Sequence, residues 1–104
     1  MKILTIDTSD SKEIAVGIII DGKEYSEKDV ASRQKPQVTL PLVEVMLRKK
    51  KLSLSDIDAI KVNVGPGSYT GLRVGVAIAN TLGFLLHIPI NDKPVGELTD
   101  PIYT

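Results

Sequence analysis

The 104-residue sequence contains no cysteine, no tryptophan, one phenylalanine and one histidine. Without cysteine there is no disulfide framework, no thiolate nucleophile and no Cys-ligated zinc or iron site, which fits a reducing compartment. The lone histidine, His87, excludes any site that needs two imidazoles and leaves one candidate for Ser-His-Asp chemistry. Aromatic residues make up 4% of the chain, and Tyr25, Tyr69, Phe84 and Tyr103 are too scattered to form a stacking platform for single-stranded nucleic acid. An excess of charge is missing too. The 13 Lys and Arg cancel the 13 Asp and Glu, so the basic footprint of a free-standing nucleic-acid binder is absent. The longest apolar stretch, residues 76–90, is too short for a bilayer and is broken by Asn80, Thr81 and His87. At the N-terminus Met1-Lys2-Ile3-Leu4-Thr5-Ile6-Asp7 meets a charge before a signal-peptide core could develop. These features predict a cytoplasmic protein with no membrane partner.

What is present is an ordinary globular composition, 42% hydrophobic and 25% charged, expected to fold as one domain over residues 1–104. Residues 2–7 read as a strand, with Ile3, Leu4 and Ile6 apolar on both faces as in a central position. Residues 14–20, Ile-Ala-Val-Gly-Ile-Ile-Ile, read as a second. Asp21-Gly22 is a two-residue hairpin signal, and residues 23–29 carry alternating charges suited to a sheet edge. The period then changes. Leu40, Val43, Met46 and Leu47 form a helical stripe across residues 39–51, with Thr39 expected as N-cap and Pro41 in the first turn. Arg48, Lys49, Lys50 and Lys51 crowd the helix end, where the dipole favours cations, and read as a solvated terminus. A fourth strand over residues 59–64, a long helix over 70–86 and a short fifth strand at Pro89-Ile90 complete the order β-β-β-α-β-α-β. Hairpins followed by right-handed helical crossovers give a mixed five-stranded sheet. This α/β layout is that of a ribonuclease-H-like domain, or of one lobe of the actin, sugar kinase and Hsp70 superfamily.

Three segments could carry chemistry. In Gly65-Pro66-Gly67-Ser68-Tyr69-Thr70-Gly71-Leu72-Arg73-Val74-Gly75, a glycine-rich turn opens a helix. It reads either as a cradle for phosphate or another anion, or as a tight strand-to-helix turn that needs small residues. No Lys-Ser or Lys-Thr follows, so it is not a Walker loop. Along the helix, Gly71, Gly75, Ala79 and Gly83 recur every four residues on one face. Interior glycines cost roughly 0.8–1.0 kcal/mol each against alanine, so close approach of another backbone must offset them. That backbone could be the domain's own or a partner's. Thirdly, Asp7-Thr8-Ser9-Asp10 ends the first strand, where phosphotransferase lobes hold a metal–nucleotide complex. A two-metal nuclease would want an acid at the end of the fourth strand, but Asn63-Val64-Gly65 stands there, leaving Glu44 as the other inward candidate. His87, just past the long helix, reads as a terminal residue favoured by the dipole.

Ile3-Leu4-Thr5-Ile6-Asp7-Thr8-Ser9, Thr39-Leu40-Pro41-Leu42-Val43, Ser55-Asp56-Ile57-Asp58-Ala59-Ile60 and above all Gly65-Pro66-Gly67-Ser68-Tyr69-Thr70-Gly71-Leu72-Arg73 resemble the TsaB (YeaZ) family. The match runs over roughly residues 1–95 and corresponds to the family's N-terminal lobe, with the second lobe absent from these 104 residues. The resemblance implies a non-catalytic role in making N6-threonylcarbamoyladenosine in tRNA, docked on the transferase TsaD, with the ATPase TsaE recruited by the pair. It implies that Gly71, Leu72, Gly75, Ala79 and Gly83, with Val43 and Leu47 of the first helix, face TsaD or a second copy in a homodimer. Asp7, Thr8, Ser9, Gly65, Gly67 and Ser68 become a phosphate-facing remnant of the fold. No cofactor is expected on this subunit alone, ATP and a metal ion being left to its partners, and tRNA is met only indirectly. Where many members carry His-Ser-Glu before the first helix, this chain has Lys35-Pro36-Gln37. The alternative is an enzyme, either a reduced phosphotransferase-like lobe or a peptidase-like one acting through Ser68.

Overall fold

The computed structural model describes residues 1–10, 13–30, 35–67 and 69–102. Strands β1 (Lys2–Asp7), β2 (Glu13–Ile20) and β3 (Lys23–Val30) are followed by helix α1 (Lys35–Lys49) and a single 3-10 turn (Leu54–Asp56). Strand β4 (Ala59–Val62) and helix α2 (Tyr69–Leu86) complete the elements. The sheet order is β3-β2-β1-β4, antiparallel except for the parallel pair β1/β4. Asp21 and Gly22 both take positive φ, 50° and 86°, which matches the twist of the flanking strands and sets Ile20 opposite Lys23.

One face of the sheet supplies the core. Leu4, Ile6, Ile14, Val16, Ile18, Ile60 and Val62 alternate inward and bury against Val43, Met46 and Leu47 of α1 and Val76, Ala79 and Leu82 of α2. Helix α1 packs over β2 and β3, and α2 over β1 and β4. The alternate residues Ile3, Thr5, Ala15 and Ile19 are only half-buried.

Three expectations change. Among the described residues the sheet has four strands, because Ile90 makes a single parallel bridge to Ile60 where a fifth strand was expected. The reason lies in the next residue. Asn91 turns the chain at φ 51°, and its side-chain amide takes over the ladder, accepting the Val62 N–H at 2.9 Å and donating to the Val62 carbonyl at 3.0 Å. Helix α1 starts at Lys35, earlier than its apolar stripe suggested, so Thr39 is fully buried within the helix and is not its N-cap. Pro41 consequently lies in the helix interior. Lys35-Pro36-Gln37 thus form the first residues of α1, not a segment before it.

The helix also ends in an unexpected way. Leu52 N–H bonds to the Leu47 carbonyl and Lys51 N–H to that of Arg48, a Schellman closure in which Lys51 occupies the left-handed position at φ 56°. Helix α2 closes alike, with Ile88 N–H on the Gly83 carbonyl and His87 at φ 55°. His87 is therefore the exposed residue that reverses the chain after the helix.

Candidate functional site

The C-terminal ends of the parallel strands β1 and β4 meet the glycine-rich turn, the location where open α/β sheets commonly bind ligands. Asp7 Oδ1 accepts the backbone N–H of Ser9 at 3.0 Å and its hydroxyl at 2.6 Å. Asn63 links the two strands to the turn. Its Nδ2 donates to Ser9 Oγ at 3.1 Å, its Oδ1 accepts the Gly65 N–H at 2.9 Å, and its own N–H bonds to the Ile6 carbonyl. Gly65 takes φ 133°, a conformation open to glycine, and precedes a cis peptide bond to Pro66. Gly67 packs on Ser9 so tightly that a Cβ would lie 2.6 Å from the serine Cβ.

Asp7, Ser9, Gly65 and Gly67 are therefore brought together as the sequence suggested. Thr8 is not, because it points into the core, is fully buried and donates its hydroxyl to the Gly71 carbonyl. Ser68 lies outside the described residues. Asn63 joins this cluster, though the sequence marks it only by the lack of an acid at that position. Its place at the end of β4 was the available signal. Glu44 does not face Asp7; it is exposed and pairs with Arg48 one helical turn on. The chemistry of the cluster is that of a brace, since the Gly65 amide, an anion's natural donor, is aimed at Asn63 Oδ1.

The small-residue stripe has a different role from the one expected. Gly75 lies against the Thr8 hydroxyl, and a Cβ there would collide with it. Gly83 accommodates Ile90, whose Cδ1 would stand 2.6 Å from an added Cβ. Gly71, Leu72, Gly75, Ala79 and Gly83 are all buried, as are Val43 and Leu47 of α1. Gly75, Ala79 and Gly83 thus serve the domain's own packing, Leu72 lies beneath the Gly65 turn, and Val43 and Leu47 are core residues that also line a groove on α1 with Leu40, Glu44 and Leu52. Glycine lets the α2 backbone approach the end of β1, which is what offsets its helix cost.

The face of α2 opposite this stripe is the exposed one. Leu40, Ala77, Ile78, Thr81, Leu82 and Leu85 line a shallow groove of about 300 Å³ between α2 and α1. Leu85 is 64% exposed and the adjoining Phe84 70%. Arg73 and Thr70 edge the continuation of the groove along α2. The basic end of α1, by contrast, is engaged internally. Arg48 pairs with Glu44, Lys49 with Glu27, and Lys50 sits 3.4 Å from the centroid of the Tyr25 ring. Among the described residues, no helix is long and apolar enough to cross a membrane.

Comparison with known proteins agrees with this architecture. The family model described as "TsaD: tRNA N6-adenosine threonylcarbamoyltransferase" matches residues 19–92. The protein named tRNA threonylcarbamoyladenosine biosynthesis protein TsaB of Haemophilus influenzae is 32% identical over 99 residues, covering 95% of this chain and 41% of the relative. Its namesake in Escherichia coli is 36% identical over 90 residues, covering 86% and 38%. Among solved structures, YeaZ from Pseudomonas aeruginosa superposes with a TM-score of 0.78 at 31% identity, over 86% of this chain and 41% of that one. The chain thus spans about two fifths of the length of the relatives it matches.

Proposed function

The chain belongs to the TsaB (YeaZ) family, and on that premise we propose that it serves the biosynthesis of threonylcarbamoyladenosine in tRNA as a non-catalytic docking subunit. Its partner in this reading is a TsaD-like transferase, with a TsaE-like ATPase joining the pair, a second copy of this chain competing for the same face, and tRNA met through the transferase. In superfamily terms the domain is one lobe of the actin, sugar kinase and Hsp70 type.

The observation that carries the reading is the outward face of α2 with Leu40 of α1. Large exposed apolar side chains clustered along a groove mark an interaction surface, and helices are well suited to meet it with their own apolar stripes. The docking surface is accordingly the exposed face of the two helices and not the buried glycine stripe. A non-catalytic role is supported by the strand-end cluster, where Asp7, Ser9 and Asn63 are hydrogen-bonded to one another and to the turn.

The test is binding and turnover with the purified chain and a TsaD homologue from the same organism. Leu85→Glu combined with Ile78→Glu is expected to abolish the complex while far-UV circular dichroism stays unchanged. Retention of binding by that variant would refute the docking face. ATP hydrolysis or threonylcarbamoyl transfer by the chain alone would refute the non-catalytic assignment.

A further inference from the structure

The segment 97–102 lies back across the domain without joining a helix or strand. Few contacts hold it. Asn80 on α2 donates from Nδ2 to the Thr99 carbonyl at 2.9 Å and accepts the Thr99 N–H on Oδ1 at 2.9 Å. Three residues later the Ile102 N–H donates to the Val64 carbonyl at 2.6 Å. The Ile102 carbonyl then rests against Gly65, in space that any side chain at residue 65 would need, with Leu72 beneath.

The apolar side chains that could anchor such a segment point the other way. Leu98 is 62% exposed and Ile102 55%. Thr99 is buried, at 2% exposure, and its hydroxyl has no hydrogen-bond partner among the described residues. A buried hydroxyl without a partner is a standing cost that release into water removes. The closed segment is therefore held to Asn80 and Val64 by three bonds and carries one orphaned polar group, while its own large apolar side chains, Leu98 and Ile102, stay exposed.

The geometry points to a reversible strap. Residues 97–102 alternate between a closed state, latched by Asn80 and covering Gly65 and Leu72, and an open state with Thr99 hydrated and the turn uncovered. The sheet stays folded in both. Segments with few buried apolar contacts open locally, far more readily than the core unfolds. In the closed state the Ile102 carbonyl oxygen stands over Gly65, and in the open state the turn is uncovered while its bond to Asn63 persists.

Amide hydrogen exchange on the whole chain, followed residue by residue by NMR, tests the strap. In the parent, the amides of residues 99 and 102 are expected to exchange at least tenfold faster than those of Ile60 and Asn63, which are bonded within the sheet and its bridge. Thr99→Val keeps the branched shape and removes the orphaned hydroxyl. It is expected to slow exchange at residues 99 and 102 by about five- to a hundredfold, leaving Ile60 unchanged. Thr99→Ser retains the hydroxyl and is expected to exchange like the parent. Equal rates at residues 99, 102 and 60 in the parent would overturn the strap. So would a Thr99→Val variant in which residues 99 and 102 are not slowed, or in which Ile60 slows by the same factor.

Discussion

The hydroxyl of Thr8, at the end of β1, stands directly against the Cα of Gly75 in the middle of α2 and donates to the Gly71 carbonyl. This contact fixes how closely the helix approaches the sheet. It also explains a glycine in a helix interior, because a methyl group at residue 75 would displace the threonine.

Two effects oppose each other when Gly75 is replaced by alanine. Helix propensity favours alanine by about 0.8–1.0 kcal/mol, whereas forcing a group into a filled contact costs roughly 1–3 kcal/mol. Here the clash falls on a buried hydroxyl that also loses its bond to Gly71, so the cost prevails. Gly75→Ala is expected to lower stability in urea denaturation by roughly 1–2 kcal/mol. Adding Thr8→Ala should recover part of that loss, since the two residues are in contact and their effects do not add. A Gly75→Ala protein as stable as the parent would show that the contact is slack.

Asn91 replaces a strand with a side chain. Its amide pairs both polar groups of Val62, and asparagine tolerates the left-handed backbone that residue 91 adopts at φ 51°. Asn91→Gly keeps the backbone and removes the amide. It is expected to cost about 1–3 kcal/mol by leaving Val62 unpaired. The exposed β4 edge should also raise the tendency to self-associate, read by light scattering near the unfolding midpoint.

Lys51 and His87 hold left-handed positions at the ends of α1 and α2, where glycine is the usual residue. Removing the Cβ relieves local strain, while glycine's greater freedom in the unfolded chain offsets part of the gain. Lys51→Gly and His87→Gly are each expected to raise stability by roughly 0.5–1 kcal/mol. A lower melting temperature for either would contradict the closure geometry.

Two surface carboxylates give the acid limb of the stability profile a definite sign. The Met1 amino group bonds to Asp21 and holds its carboxyl below the usual aspartate range. The Ser53 backbone N–H does the same for Asp56. A folded-state pKa below the unfolded one contributes stability that is complete above the ordinary aspartate value. That contribution is lost as pH falls through the folded value. Asp21→Asn is therefore expected to narrow the gap to the parent as pH drops through the acidic range, and the gap should shrink with added salt. Melting curves across that range check both effects. A gap that widens on acidification would reverse the assignment.

Much of this organisation was legible in the chain. Strands β1 to β4, the Asp21-Gly22 hairpin and helix α2 follow from periodicity and turn chemistry, which act over a few residues. The assembly of Asp7, Ser9, Gly65 and Gly67 followed from their placement at strand ends. What escaped was decided by contacts between distant residues. The four-residue glycine repeat shows a smooth face but not what lies against it, and both Thr8 and a partner helix satisfy the pattern equally. Thr39 carries a capping side chain, yet it is buried in a helix that begins earlier. The fifth strand was lost to a side-chain amide that competes with the backbone ladder, an exchange no hydropathy pattern records.

The missing cysteine, the single histidine, the balanced charge and the alternation of apolar residues settled by themselves that an α/β sheet must be held by packing alone, without metal–thiolate or disulfide staples. Periodicity states which residues share a face. Only the tertiary structure decided which face is sealed and which is open, because that depends on how near α2 approaches β1 at Thr8 and Gly75. The answer put Gly71, Gly75, Ala79 and Gly83 inside, and left Leu40, Ile78, Phe84 and Leu85 for whatever the domain meets.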